Sequence, residues 1–160
     1  MSTPGAASKN SHVTLDDTSK KIIEQLQSDG RRPYAAIGKA VGLSEAAVRQ
    51  RVQRLLDAGV MQIVAVTDPL QVGFSRQAMV GLRVDGDLMA VAEQVSQLRE
   101  VEYVVLTAGS FDLLVEVVCE DDDHLLELVS RTMRGLPGVR TTETFVSLKL
   151  RKQRYDWGTR

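Results

Sequence analysis

The run Gly42-Leu43-Ser44-Glu45-Ala46-Ala47-Val48-Arg49-Gln50-Arg51-Val52-Gln53-Arg54-Leu55 constrains this chain more than any other stretch. It follows a short helical segment, Pro33 to Val41, and together they read as a helix, a tight turn and a second helix. Gly42 can take the left-handed backbone that ends one helix and redirects the chain. Leu43 plugs the angle between the helices, and Ser44 can cap the second through its hydroxyl. Val48, Val52 and Leu55 recur at helical spacing and build one apolar face. The opposite face carries Arg49, Gln50, Gln53 and Arg54, residue types that reach phosphates and base edges in a major groove. The pattern points to DNA binding rather than catalysis.

Composition sharpens this reading through its distribution, not its sum. Net charge is only −1, but Leu15 to Val60 has eight Lys/Arg against six Asp/Glu, and Met61 to Leu148 has six against fourteen. Lys149 to Arg160 has five basic residues and one acidic. That asymmetry suggests a basic reading head, an acidic body and a basic tail, with the tail expected to be loose and solvated. No apolar run approaches the roughly 20 residues that cross a bilayer, so no membrane partner is expected. Met1 to Val13 is small and polar, lacks the apolar core of a secretory signal, and is expected to be a disordered arm. The single cysteine, Cys119, cannot form an internal disulfide; it reads as a core strand residue in a reducing, cytoplasmic setting.

A first helix is predicted from a cap at Asp16 or Asp17 to about Ser28, with Ile22, Ile23 and Leu26 inward. Pro33 suits the first position of a second helix, and Gly38 is placed where helices one and two cross. A third helix runs from Ser44 to about Ala58 and stops at Gly59. These elements form a helix-turn-helix domain over 14–60. Met61 to Thr67, rich in β-branched residues, is predicted as a strand within a hinge over 61–75. The region 76–150 has another rhythm. Strands are expected at Gln77–Val84, Val101–Thr107, Asp112–Cys119 and Val139–Leu150. One helix carries Leu88, Val91, Val95 and Leu98; another carries Leu125, Leu126, Val129, Met133 and Leu136. The order βαββαβ is a ferredoxin-like arrangement, with both helices on one face of an antiparallel sheet. The fold class is therefore α+β: a three-helix, winged-type helix-turn-helix domain joined by a strand hinge to a ferredoxin-like domain, with a basic tail over 151–160. The uncovered sheet face calls for a second copy of the chain.

This organisation resembles the leucine-responsive regulator/asparagine regulator (Lrp/AsnC) family of prokaryotic transcription factors, from about Leu15 to Leu150. The resemblance rests on Leu15-Asp16-Asp17 opening helix one and Leu26-Gln27-Ser28-Asp29-Gly30-Arg31 closing it. Gly42-Leu43-Ser44 precedes the reading helix, which carries Arg51-Val52-Gln53-Arg54-Leu55 and ends at Gly59-Val60. Gly109-Ser110-Phe111-Asp112 is similar to the family's effector loop. The resemblance implies dimers built through the sheets, often assembled as a tetramer of dimers in an octameric ring. It also implies a free amino acid bound between dimers near that loop, and control of amino-acid metabolism genes. The family loop commonly has Tyr where this chain has Phe111, so any contact through that hydroxyl is absent here. Gln62 to Thr67 departs from the family's hinge.

Two sets of site residues follow. For DNA, the N-terminal half of the reading helix lies nearest the bases, through Ser44, Glu45, Ala47, Arg49 and Gln50. Gln53 and Arg54 lie further along it, and Arg51 either joins them or pairs with an acid of its own domain. Arg31, Arg32 and Tyr34 suit backbone phosphates, which fix register without reading sequence. For an amino-acid effector, Asp112 can hold the ammonium, and the N–H groups around Gly109 and Ser110 can hold the carboxylate beside Phe111. Thr141, Thr142 and Thr144 can add hydroxyls from a neighbouring subunit. The plainer alternative is a hairpin turn in which Asp112 bonds its own loop.

Other constellations carry less. Glu120-Asp121-Asp122-Asp123 complements a helix dipole better than it suggests a cation site. His12 and His124 lack ligand spacing. There is no phosphate loop, dinucleotide fingerprint, nucleophile elbow or HExxH motif, so no cofactor, metal or enzymatic activity is expected. The leading expectation is a sequence-specific regulator whose DNA occupancy or assembly answers to an amino acid. The alternatives are an effector-independent architectural, nucleoid-type DNA protein, and a small-molecule-binding or enzymatic ferredoxin-like domain with a helical scaffold.

Overall fold

The computed structural model describes residues 15–160. The arm expected over 1–13, with His12, lies outside them. By backbone proximity the chain divides into two units: the helical one reaches Ala65 and includes Lys152–Arg160, and the other spans Val66–Arg151.

The helical unit contains α1 (Asp17–Ser28), α2 (Tyr34–Val41) and α3 (Glu45–Asp57). Each start has a local cause. Asp16 accepts from the Ser19 N–H, Ser44 accepts from the Ala47 N–H, and Pro33 immediately precedes α2 with φ −59°. Gly42 ends α2 at φ 74°, the left-handed turn the sequence called for. Ile22, Leu26, Ile37, Val48 and Val52 form the core, with Leu43 and Met61 packed against it. Gly38 makes a different close approach from the one expected. A Cβ there would lie 2.5 Å from the Leu43 carbonyl oxygen, so this glycine lets α2 close against the turn leading into α3, not against α1.

In the second unit, β1 (Arg76–Val84), α4 (Leu88–Ser96), β2 (Val101–Leu106), β3 (Leu113–Cys119), α5 (Asp122–Glu127) and β4 (Val139–Val146) follow in βαββαβ order. The sheet is antiparallel, ordered β2-β3-β1-β4. Alternation sends Ala78, Val80 and Leu82 of β1 and Leu113, Val115, Val117 and Cys119 of β3 into one core. α4 adds Val91 and Val95, and α5 with its continuation, a wide π-turn over Leu128–Met133, adds Leu125, Leu128, Val129 and Met133. Leu126, expected inside, is 63% exposed, because it stands about 100° around the helix from Leu125. Cys119 is buried, and burial pushes its thiol up to about 11, consistent with a core residue.

Two strand expectations are corrected. Met61–Thr67 forms no strand, because extended backbone needs a ladder partner and this segment has none among the described residues. β4 stops at Val146 rather than Leu150. The Ser147 N–H still reaches the Gln77 carbonyl, but β1 begins at Arg76, so nothing remains to pair with.

Candidate functional site

Helix α3 presents one of the two candidate surfaces. Burying Val48, Val52 and Leu55 leaves Glu45, Arg49, Gln50, Gln53 and Arg54 exposed on the other side. Arg49 is ordered by two contacts: a 2.8 Å ion pair with Glu45 one turn back, and its guanidinium 5.3 Å from the Tyr34 ring centroid. Tyr34 opens α2, so the start of α2 and the first turn of α3 support the same arginine. Ser44 is engaged as the cap and Ala47 is half-buried behind it. Gln53 donates to Asp57 at 2.7 Å. Arg31 is exposed and Arg32 half-buried in the turn before α2.

Arg51 follows the second course open to it. Its Nη1 lies 2.6 Å from Asp16 Oδ2 and 3.2 Å from Ser19 Oγ, tying α3 to the start of α1. Hydrogen bonding by Ser19, followed by Arg51, holds the Asp16 carboxyl down at about 2, against its ordinary 3.8. The tail also differs from expectation. Gly158 and the Gln27 amide exchange hydrogen bonds, and the Thr159 hydroxyl donates to Glu24 at 2.7 Å, so the tail lies along α1.

The second surface is the loop joining β2 to β3, Thr107 to Asp112. Asp112 anchors it to β1 twice: its N–H donates to the Leu82 carbonyl at 2.9 Å, and its Oδ2 accepts the Val84 N–H at 2.8 Å. Thr107 closes the loop, donating from its hydroxyl to the Phe111 carbonyl and from its N–H to the Asp112 carbonyl. The Phe111 ring lies over Gly81, where a Cβ would come within 2.7 Å of it, and meets Phe145 edge-on at 6.1 Å. Arg83 donates from Nε to the Ser110 carbonyl at 2.8 Å, with its guanidinium 5.6 Å from the Phe111 centroid. Gly109 is exposed, has no left-handed backbone, and has open space where a Cβ would stand.

The three threonines separate. Thr141 pairs with Arg83 across β1–β4, on the open face with Phe111 and Phe145. Thr142 and Thr144 pair with the buried Leu82 and Val80, which puts them on the helix-covered face, and Thr142 accepts from Arg134 Nε at 2.8 Å. Within one chain, then, Thr141 joins the loop residues and the other two do not. Gly81 and Arg83 escaped the sequence reading. A glycine in mid-strand is a signal of close approach that could have flagged the first; nothing local marks the second.

The acidic run is accounted for by structure: Asp121 caps α5, and Asp122 pairs with Arg76. A nearby cleft of about 240 Å³ contains His124, bonded through Nε2 to Glu100 at 3.1 Å and through Nδ1 to the Glu120 N–H at 3.4 Å. Among the described residues, no three His, Cys, Asp or Glu gather as metal ligands, and no helix is long and apolar enough to cross a membrane.

Residues 77–157 match the Lrp/AsnC ligand binding domain, and residues 15–56 match the AsnC-type helix-turn-helix domain. HTH-type transcriptional regulator FL11 of Pyrococcus horikoshii is 33% identical over 146 residues, covering 88% of this chain and 94% of that protein. The proline dehydrogenase transcriptional activator of Rhizobium radiobacter is 32% identical over 151 residues, covering 90% and 97%. Among solved structures, the transcriptional regulator NMB0573/L-Met complex from Neisseria meningitidis superposes with a TM-score of 0.77 at 27% identity, covering 89% of this chain and 96% of that one. E. coli AsnC, at a TM-score of 0.75 and 23% identity, shares the fold.

Proposed function

Because this chain belongs to the Lrp/AsnC family of transcriptional regulators, we propose that it controls genes of amino-acid metabolism and that a free amino acid, bound at the Thr107–Asp112 loop, sets its occupancy of DNA. It is a DNA-binding regulator with a ligand-binding domain, not an enzyme. The observation that carries the effector reading is the state of Asp112. One carboxylate oxygen is held by the Val84 N–H, while Oδ1 has no partner among the described residues and is available to an ammonium. Open space at Gly109 lets a ligand approach the loop backbone, and the solved relative that holds L-Met supports an amino acid as the ligand class.

On the DNA side, α3 enters the major groove, with Ser44, Glu45, Ala47, Arg49, Gln50, Gln53 and Arg54 along the bases and backbone. Arg32 and Tyr34 serve the phosphates and the support of Arg49. Arg51 acts one step back, by fixing α3 on α1. For the effector, Gly109, Ser110, Phe111, Asp112 and Thr141 belong to one surface; Thr142 and Thr144, on the helix-covered face, stand outside it. The chain works as a dimer or a tetramer of dimers, covering the open sheet face on which Tyr103 and Phe145 stand about half exposed. Coupling follows if the ligand favours one assembly over another.

The test is a thermal-shift screen of the full chain against the twenty L-amino acids, with Asp112→Asn alongside. Asparagine keeps an acceptor for the Val84 N–H and removes the charge, so the loop stays anchored. A ligand at about 100 times its Kd stabilises by roughly 2.7 kcal/mol, and the variant should lose that response while keeping DNA affinity. Silence toward all twenty, with equal affinity for specific and random DNA, would replace this reading with an architectural one.

A further inference from the structure

Arg83 is an exposed residue near the end of β1, yet its side chain is fixed. Its Nε is bonded to the Ser110 carbonyl at 2.8 Å, and its guanidinium lies 5.6 Å from the Phe111 centroid. Phe111 is itself seated over Gly81 and braced by Phe145. Its two terminal nitrogens have no hydrogen-bond or ion-pair partner among the described residues. A guanidinium fixed in this way loses little further freedom on binding, and its planar fork matches a carboxylate bidentately.

The backbone beneath it is unusual. The β1–β4 ladder shifts register between Arg83 and Val84, a bulge of the kind that redirects a side chain. At the next residue, the Val84 N–H holds Asp112 Oδ2. Arg83 of β1 and Asp112 of the loop, held by the next residue of β1, thus bring a cation and an anion close together, and no ion pair joins them, each being held by a different group. These are the two charges that a ligand bearing an ammonium and a carboxylate on one carbon requires.

We propose that Arg83 is the carboxylate-binding residue of the effector site, receiving the α-carboxylate of a free amino acid whose ammonium meets Asp112. This replaces the loop N–H groups as the principal carboxylate partner. It rests on the effector reading above.

The experiment pairs the residue with the ligand group. Wild type, Arg83→Met and Arg83→Lys, each as the full chain, are titrated calorimetrically with every L-amino acid that shifts wild type in the thermal screen, and with its α-amide. Wild type should prefer the acid over the amide by about ten- to a hundredfold, the range of a charge-assisted contact. Arg83→Met should erase that preference, and Arg83→Lys should restore part of it as a charge without the fork. If Arg83→Met weakens acid and amide equally and keeps the preference, Arg83 merely braces the loop and the proposal is wrong. If Arg83→Met does not fold, Arg83→Lys decides: an undiminished acid preference overturns the proposal. Wild type silent to all twenty amino acids is the distinct failure of the effector reading itself, and the proposal falls with it.

Discussion

Helix α3 and the Thr107–Asp112 loop are both exposed surfaces, but they are held in opposite ways. The shape of α3 is local: a serine cap, a glycine turn and an apolar stripe three and four residues apart set which side chains point outward. The loop takes its shape from β1, through Leu82, Val84, Gly81 and Arg83, which lie far away in sequence. A helix held in this way can therefore vary its exposed residues without refolding. A loop of this kind cannot change independently of the strand beneath it.

The sharpest way to break each surface is to fill its glycine. Gly38→Ala puts a methyl 2.5 Å from the Leu43 carbonyl, a backbone atom held in the turn, and should destabilise the helical unit by about 1–3 kcal/mol in urea melts. Gly81→Ala meets a side-chain ring instead, at 2.7 Å, so part of the strain can be relieved by moving Phe111. It should cost less than Gly38→Ala and should impair ligand response at concentrations where the fold persists. Equal losses of stability would mean that the loop is no more adaptable than the helix turn.

Removing the Ser44 cap should cost about 1 kcal/mol, with no effect on the loop. Arg49→Ala should leave the melting temperature nearly unchanged, since its ion pair with Glu45 is exposed. Loss of a bidentate base contact should cost about 1–3 kcal/mol of discrimination in competition gel shifts. Unchanged sequence preference would remove Arg49 from the reading set.

Acid should act on the helical unit through Asp16. Its folded carboxyl titrates at about 2, below its ordinary 3.8, so its stabilising effect is complete above about pH 4 and disappears as pH falls toward 2. Arg51→Ala should flatten that acid limb in part, leaving the share due to Ser19; an unaltered limb would show that the Arg51 link is immaterial. The smallest stability effect is expected for Gly109→Ala, within about ±0.5 kcal/mol, because the backbone is ordinary and the space open. Its value lies in the contrast: ligand response should fall while stability holds.

The residues α3 displays were readable because a helix repeats its neighbours every three or four positions, and the caps of α1, α3 and α4 were readable because each bonds only three residues away. The βαββαβ order was equally legible, from the alternating Ala78, Val80, Leu82 and Val84 of β1 and from short apolar runs and helical stripes separated by turn residues. The strand expected at Met61–Thr67 failed for a reason no window of sequence contains: β-branched residues favour extended backbone, but only a partner makes a ladder. The end of β4 was misplaced on the same ground, since β1 decides where pairing stops.

The sequence by itself therefore determined the family, the two-part organisation and the outward face of α3, all of which depend on short-range periodicity and turn chemistry. Tertiary structure decided the rest. It assigned Arg51 to Asp16, divided Thr141 from Thr142 and Thr144 across the sheet, and brought Gly81, Arg83 and Asp112 together at one loop. The physical reason is that strand pairing and packing join residues whose separation along the chain leaves no local trace, so their chemistry becomes visible only when the register is fixed.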